Sequence, residues 1–317
     1  MPRHNIMIIG FGVVGRGFYN LLMEKVGQLP YHNISVSEIV DLRYGVIKNP
    51  RNIDVDRLQP VKNEVDVLDE IERSHCDTVC EFTWVDYKDG GPGYRHIKKA
   101  LDTGKNVITT NKGPIALHYR ELVSHAESKH LKLKFKGTVM AGTPSFNILE
   151  LLPGIRVNSF RGVLNGTTNY ILTRMSQGVM FHDALAEAQS KGYAEADPTN
   201  DVEGYDARAK CAIVSNVLGW DRSYNDVEVA GISHITPDEA ASGVKLIAYA
   251  DPEIAYVKPV KLQQSDLLRH VENVTNAIEF DTDTLGRITV SGPGAGSRET
   301  AQAALTDLVS ILKEGEA

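Results

Sequence analysis

The chain has 317 residues, of which 42% are hydrophobic and 24% charged, and a formal net charge of −7 at pH 7. That length predicts two domains with ordinary cores, and the acidic balance excludes a polyanion as main partner, since nucleic-acid binding needs a basic surface. Cys76, Cys80 and Cys211 are too few and too irregular for a disulfide framework or a zinc site, and read as reduced thiols in a cytoplasm. No run approaches the ~18 apolar residues of a membrane span, and the apolar N-terminus enters a glycine turn rather than a signal cleavage site.

In chain order, "NIMIIG" (5–10) reads as a strand, 13–26 as a helix, "ISVSEIV" (34–40) as a strand and 64–75 as a helix. A strand at 78–83, a helix at 93–104 and a strand at 106–110 follow, then a helix opened by Pro114 that reaches about Lys129. "LKLKFK" (131–136) alternates apolar and basic residues, as a strand with one solvated face does. This alternation predicts an α/β fold, a doubly wound, Rossmann-type parallel sheet over residues 1–136. Beyond it, helices are expected near 144–152, 166–178, 181–191, 205–218 and 236–249, and strands near 155–164, 254–262, 276–281 and 286–292. They predict a second, α+β domain over 137–290, with the glycine loop and amphipathic helix of 291–317 completing the first.

"GFGVVG" places Gly10, Gly12 and Gly15, with Phe11, Val13 and Val14 between them, after a strand and before a helix. Glycine serves there for a tight turn, for close approach to a pyrophosphate and for helix–strand contact, and the helix N-terminus faces the phosphates. A dinucleotide is the expected ligand. Asp41, 26 residues past Gly15, could hold a ribose 2′-OH, whereas Arg43 could hold a 2′-phosphate. The plain alternative for both is a solvated loop charge.

"KGYAEADPTNDVEGYDARAK" (191–210) crowds carboxylates in front of Lys210. Asp206 and Lys210, spaced i,i+4, could be a surface pair worth about 0.3–0.5 kcal/mol. The apolar residues that follow, "CAIVSNVLGW", point instead to a buried helix. A lysine drawn out of water becomes a usable proton donor or acceptor, and a neighbouring carboxylate holds it in place. The acids upstream suit a substrate ammonium. Lys112, in "TTNKG", follows a strand at the carboxyl edge of the sheet, where such folds bind ligands.

Together "IIGFGVVGRG", "VITTNKGP", "TVMAGTPSF", "GVLNGTTNYIL", the acidic stretch and "SGPGAGSRETA" resemble homoserine dehydrogenase, in its short form without a C-terminal regulatory domain. The resemblance spans nearly the whole chain. It implies reversible reduction of L-aspartate 4-semialdehyde to L-homoserine with NADPH or NADH, by a homodimer formed through the second domain. It implies Lys210 and Lys112 as catalytic lysines with Asp206 orienting Lys210, and Glu195, Asp201, Asp206, Lys112 and Gly192 around the substrate. For the cofactor it implies Gly10, Phe11, Gly12, Val13, Val14, Gly15, Thr83, Lys112 and Gly294; Arg43 favours NADP, with NAD also accepted. The family binds a monovalent cation with a glutamate and backbone carbonyls. Here Lys136 stands in the glutamate's place, beside the matching carbonyls of Val139, Ala141 and Thr143, which puts that site in doubt. Lys136 is expected either to take the cation's place or to face solvent. No inhibition by threonine at a distal site is expected. Two rivals remain at this stage: aspartate-semialdehyde dehydrogenase, which needs a thiolate nucleophile, and a non-catalytic dinucleotide-sensing protein.

Overall fold

The computed structural model describes residues 3–29, 33–50, 53, 57–61 and 64–315. They divide into two compact units, Met1–Gly142 with Gly296–Ala317, and Thr143–Ala295. The first division falls after Gly142 rather than after Lys136, because the turn Lys136–Thr138 stays with the first unit: the Lys136 N–H donates to Asp307 Oδ2 at 2.9 Å. The second falls after Ala295 because the last strand runs on to Pro293.

In the first unit, strands β1 (His4–Ile9), β2 (Ile34–Asp41), β3 (Gly45–Lys48), β4 (Thr78–Glu81), β5 (Asn106–Thr109) and β6 (Leu133–Lys134) form one sheet in the order β3-β2-β1-β4-β5-β6. All pairs are parallel except β2 with β3. That edge hairpin was not legible in the sequence: "GVIK" is too short to show a period, and its turn depends on Gly45 at φ +74°. β4 is buried along its whole length, as central parallel strands are. Helices α1 (Val13–Lys25), α2 (Val67–Arg73), α3 (Gly91–Asp102) and α4 (Lys112–Ser128) connect the strands. α4 begins at Lys112, two residues before Pro114, because Asn111 caps it through Gly113 N at 3.2 Å. The C-terminal helix Ser297–Glu314 lies beside α1, where Arg298 grips both oxygens of Glu24 at 2.8 and 2.7 Å. Ile6, Ile8, Phe18, Leu22, Ile108 and Leu308 belong to the shared core. The expected six-residue strand at 131–136 shrinks to the two residues of β6. Its lysines do not form a merely solvated face: Lys132 and Lys134 pair with Glu314 at 2.9 and 2.5 Å.

In the second unit, β7 (Val157–Val163), β8 (Glu228–Val229), β9 (Val244–Ala250), β10 (Ala255–Lys261), β11 (Thr275–Thr282) and β12 (Gly286–Pro293) are ordered β12-β11-β7-β9-β10-β8. Only the β8–β10 pair is parallel. Helices α5 (Gly166–Ser176), α6 (Phe181–Ser190), α7 (Thr199–Val202), α8 (Tyr205–Val217) and α9 (Pro237–Ala241) accompany this sheet. The helix expected over 236–249 is in fact α9 followed by β9. Thr236 and Glu239 form a capping box at its start, and Gly243 at φ +100° follows its end. "VKLIAYA" then runs as a central, mostly buried strand, an apolar stretch whose periodicity does not separate helix from strand. The helix expected near 144–152 is a 3₁₀ turn, Phe146–Leu151.

Candidate cofactor and substrate sites

A cavity of about 1150 Å³ opens at the carboxyl edge of the first sheet, lined among others by Gly10, Phe11, Gly12, Val13, Arg43 and Thr83. Gly10 sits at φ +85°, and a Cβ there would meet Phe82 O at 2.7 Å; a Cβ on Gly15 would strike Gly10 O. Gly12 meets nothing within 4 Å, so the space over the turn is open. The first N–H groups of α1 lack intrahelical acceptors and face anions favourably. These residues fit a dinucleotide pyrophosphate.

Asp41 is already committed. Its Oδ2 accepts from Phe11 N at 2.7 Å, and its Oδ1 from Arg43 N at 2.8 Å and Tyr44 N at 3.3 Å. It braces the glycine turn against the end of β2. Arg43 is exposed, with its guanidinium 5.8 Å from the Tyr44 ring. Arg16, which the sequence reading did not single out, also lines the cavity; it stacks over Tyr44 at 5.2 Å and donates to Phe11 O at 3.0 Å and to the Tyr44 hydroxyl.

Below the cavity, Glu81 at the end of β4 is wholly buried. Its Oε1 accepts from Thr83 N at 3.0 Å and from the Thr83 hydroxyl, and its Oε2 from Thr109 Oγ1 at 3.0 Å. Thr109 Oγ1 in turn accepts from Asn111 N at 3.0 Å, and Asn111 Nδ2 donates to Trp84 O at 3.0 Å. One buried carboxylate therefore sets both Thr83 and the turn that presents Lys112, which is half-buried at the first position of α4. Glu81 carried no sequence signal beyond an acid ending a strand.

In the second unit, α8 starts after Gly204, at φ +83°, and buries Asp206 and Lys210 on one face. Lys210 Nζ lies 2.7 Å from Asp206 Oδ2 and donates to Leu164 O at 2.6 Å. Asn165, the N-cap of α5, completes the cluster. Its Oδ1 accepts from Thr168 N at 2.8 Å, while its Nδ2 donates to Asp201 Oδ1 at 2.6 Å and Asp206 Oδ2 at 2.9 Å. The plain reading of Asp206–Lys210 as a surface pair is thus wrong: the side chains are 12% and 8% exposed. Glu195 and Gly192 lie outside this cluster on the exposed segment before α7. Gly294 is tied to packing, since a Cβ there would collide with the amide of the fully buried Asn276.

Burial, and then the charge of Asp206, hold the Asp201 carboxyl above the ordinary value, with Asn165 and Lys210 opposing. A carboxyl with a raised folded-state pKa costs stability once it ionises, so its contribution worsens as pH rises through that pKa. Asp201→Asn is expected to raise Tm by roughly 2–4 °C at pH 7 and to have less effect near pH 4, while turnover falls. Thermal melts at the two pH values check the sign.

Among the described residues no cluster of three or more His, Cys, Asp or Glu could hold a metal ion. Val139, Met140 and Ala141 are buried, the latter two at φ +58° and +48°. Lys136 stands where the family's cation-binding glutamate would, and an ammonium has no lone pair to give a cation. The three cysteines are buried; burial pushes the Cys76 thiol up to about 11, Cys211 up to about 12, and Cys80 well above its usual value. None offers the thiolate that thioester chemistry requires.

A glycine-turn dinucleotide cavity in one unit and a buried, carboxylate-held lysine in the other define a nicotinamide-dependent oxidoreductase. The sequence model of homoserine dehydrogenase matches residues 144–309. Homoserine dehydrogenase of Sulfurisphaera tokodaii is 41% identical over 310 residues, covering 98% of this chain and 99% of that protein. NAD(+)-dependent homoserine dehydrogenase of Pseudomonas canavaninivorans is 37% identical, covering 98% and 97%. Among solved structures, a putative homoserine dehydrogenase of Archaeoglobus fulgidus superposes with a TM-score of 0.88 at 34% identity, over 97% of this chain and 99% of that one. A hyperthermophilic archaeal homoserine dehydrogenase in complex with NADPH gives 0.86 at 31%, over 99% and 98%. The chain belongs to the homoserine dehydrogenase family.

Proposed function

We propose that this protein reduces L-aspartate 4-semialdehyde reversibly to L-homoserine with NADPH or NADH, within the synthesis of threonine, methionine and isoleucine. The observation that carries the reading is the Lys210 ammonium. Of its three N–H donors, two are taken by Asp206 and Leu164 O, so the third is available to a substrate oxygen. The bound dinucleotide supplies the hydride. As negative charge develops on the aldehyde oxygen, Lys210 stabilises it and delivers the proton, with Asp206 holding the ammonium in place. Asp201, inside the cluster, receives the substrate ammonium, Glu195 and Gly192 approach the substrate from the exposed segment before α7, and Lys112 receives an anionic group. Gly10, Phe11, Gly12, Val13 and Thr83, which line the cavity, contact the cofactor, and Val14 and Gly15 complete the turn that carries them, while the part of Gly294 is to pack on Asn276. We further propose a homodimer formed through the second unit, working in the cytoplasm; light scattering of the purified protein tests the dimer. None of the described helices is long and apolar enough to cross a membrane. The deciding experiment is absorbance at the nicotinamide band with purified protein, homoserine, and NAD or NADP: no reduction of either nucleotide would sink the reading.

Two narrower expectations follow. Arg43 is exposed and lines the cavity, which supports a role for its guanidinium toward a 2′-phosphate. Arg43→Ala should raise KM for NADP several-fold more than KM for NAD; equal changes would remove Arg43 from cofactor selection. Because Lys136 replaces the cation-binding glutamate, turnover should not depend on sodium or potassium. Titrating each salt at constant ionic strength in an organic-cation buffer tests this, and saturable activation by either ion would overturn it.

A further inference from the structure

His96, on α3, has no part in the chemistry proposed above, yet it lines the dinucleotide cavity and is only 6% exposed. Its Nδ1 is buried without a hydrogen-bond partner among the described residues. That atom lies 3.6 Å from Glu81 Oε1, just beyond hydrogen-bond range. An orphaned nitrogen in a cavity wall calls for explanation.

The arrangement around Glu81 supplies one. Oε1 already accepts from the backbone N–H of Thr83, so this oxygen acts as an acceptor. An imidazole nitrogen facing it is favoured in its N–H form. Holding the proton on Nδ1 leaves Nε2, on the opposite side of the ring, as an acceptor. His96 lines the cavity and its Nδ1 is buried, so Nε2 is the ring nitrogen left for a ligand there. Gly93, one turn before Ile97, keeps room for this arrangement: a Cβ there would press on Asn111 Nδ2 at 2.5 Å and on Glu81 Oε2 at 3.2 Å.

Resting on the dinucleotide reading of the cavity, we propose that His96 is a cofactor-binding residue. Its Nε2 accepts a hydrogen bond from a ribose hydroxyl of the bound dinucleotide, and Glu81 positions the ring. A phosphate oxygen cannot fill this role, because it brings no proton, whereas a ribose presents several hydroxyl donors. Hydrogen bonds in sites of this kind tighten when the ligand arrives, so a shift of a few tenths of an ångström closes the Nδ1–Glu81 gap as Nε2 takes its partner. Glu81 thus serves two groups at the cavity, Thr83 and His96, from one buried position.

The test titrates reduced dinucleotide by its nicotinamide fluorescence into wild type, His96→Leu and His96→Gln, with thermal melts of each. His96→Leu should raise the dinucleotide Kd about tenfold, the loss of one hydrogen bond. His96→Gln, which keeps an acceptor, should stay within about threefold of wild type. In steady-state kinetics the KM for the dinucleotide should rise in step with Kd in His96→Leu and stay near wild type in His96→Gln. If wild type binds and His96→Leu binds equally well, the assignment is overturned while the cavity reading stands. If wild type binds no nicotinamide dinucleotide, both fall. If His96→Leu loses dinucleotide affinity and homoserine KM together, with a large fall in Tm, the role is structural and the assignment is overturned. Should His96→Leu fail to fold, the tenfold test passes to His96→Phe, which fills the site without an acceptor.

Discussion

Lys210→Ala is expected to lower kcat by about 10²–10⁴-fold, the usual cost of losing a general acid–base group, while reduced dinucleotide binds with near-normal Kd. The cavity proposed for the dinucleotide is lined by residues of the first unit, and Lys210 belongs to the second. The substitution also strands the buried Asp206 carboxylate, and breaking a buried ion pair costs about 3–5 kcal/mol. Activity must therefore be compared well below the melting temperature of the variant. Lys210→Met, which refills the volume with an unbranched apolar chain, separates loss of chemistry from loss of packing. Both variants should be equally inactive at a temperature where both are folded. A variant that keeps more than about a tenth of wild-type kcat, outside the range expected for such a group, would show that the proton comes from elsewhere.

The parts of the site that could be read in the sequence are those whose partners are close along the chain. Gly10 and Gly15 are needed by a turn a few residues long, and the pattern shows it. Asp206 and Lys210 share a helix turn, and the apolar residues after Lys210 announce the burial that makes the pair chemically useful. Asn165 is different. Its two carboxylate partners lie 36 and 41 residues away, so nothing local marks it as more than an Asn before a helix. The same holds for Glu81, whose bond to Thr109 spans 28 residues. At the level of the fold, strand–helix alternation conveyed the parallel sheet, because each element there is long and separately periodic. "VKLIAYA" misled because a short apolar run suits a buried strand as well as a helix, and only its pairing with β7 and β10 decides. Lys132 and Lys134 have a partner that alternation could not show: Lys132 stays exposed, as a solvated face requires, yet Glu314, near the far end of the chain, pairs with both.

Asn165→Ala should cost the fold about 2–4 kcal/mol and lower kcat by about 10–100-fold. The stability term has two sources. Loss of the cap on α5 costs about 0.5–2 kcal/mol. Loss of hydrogen bonds to charged groups costs about 1.5–3 kcal/mol each when the partners stay buried, and Asn165 makes two, to Asp201 and Asp206. Water entering the gap left by the amide recovers part of that, which keeps the sum below simple addition. The catalytic term arises because the amide fixes Asp206, and Asp206 fixes Lys210 at 2.7 Å. Without it the two carboxylates repel each other unrelieved, and the ammonium loses its single orientation. Asn165→Asp separates the two effects. Aspartate caps a helix as well as asparagine does, but it cannot donate to Asp201 or Asp206 when ionised, and it adds a third negative charge beside Lys210. It keeps the cap, worth about 1 kcal/mol, but a third buried carboxylate beside Asp201 and Asp206 costs more than that, so at pH 7 it should be less stable than Asn165→Ala and recover none of the lost kcat. Chemical denaturation checks the first and steady-state kinetics the second. An Asn165→Asp enzyme with wild-type kcat would mean that donation to the two carboxylates plays no part in holding Lys210.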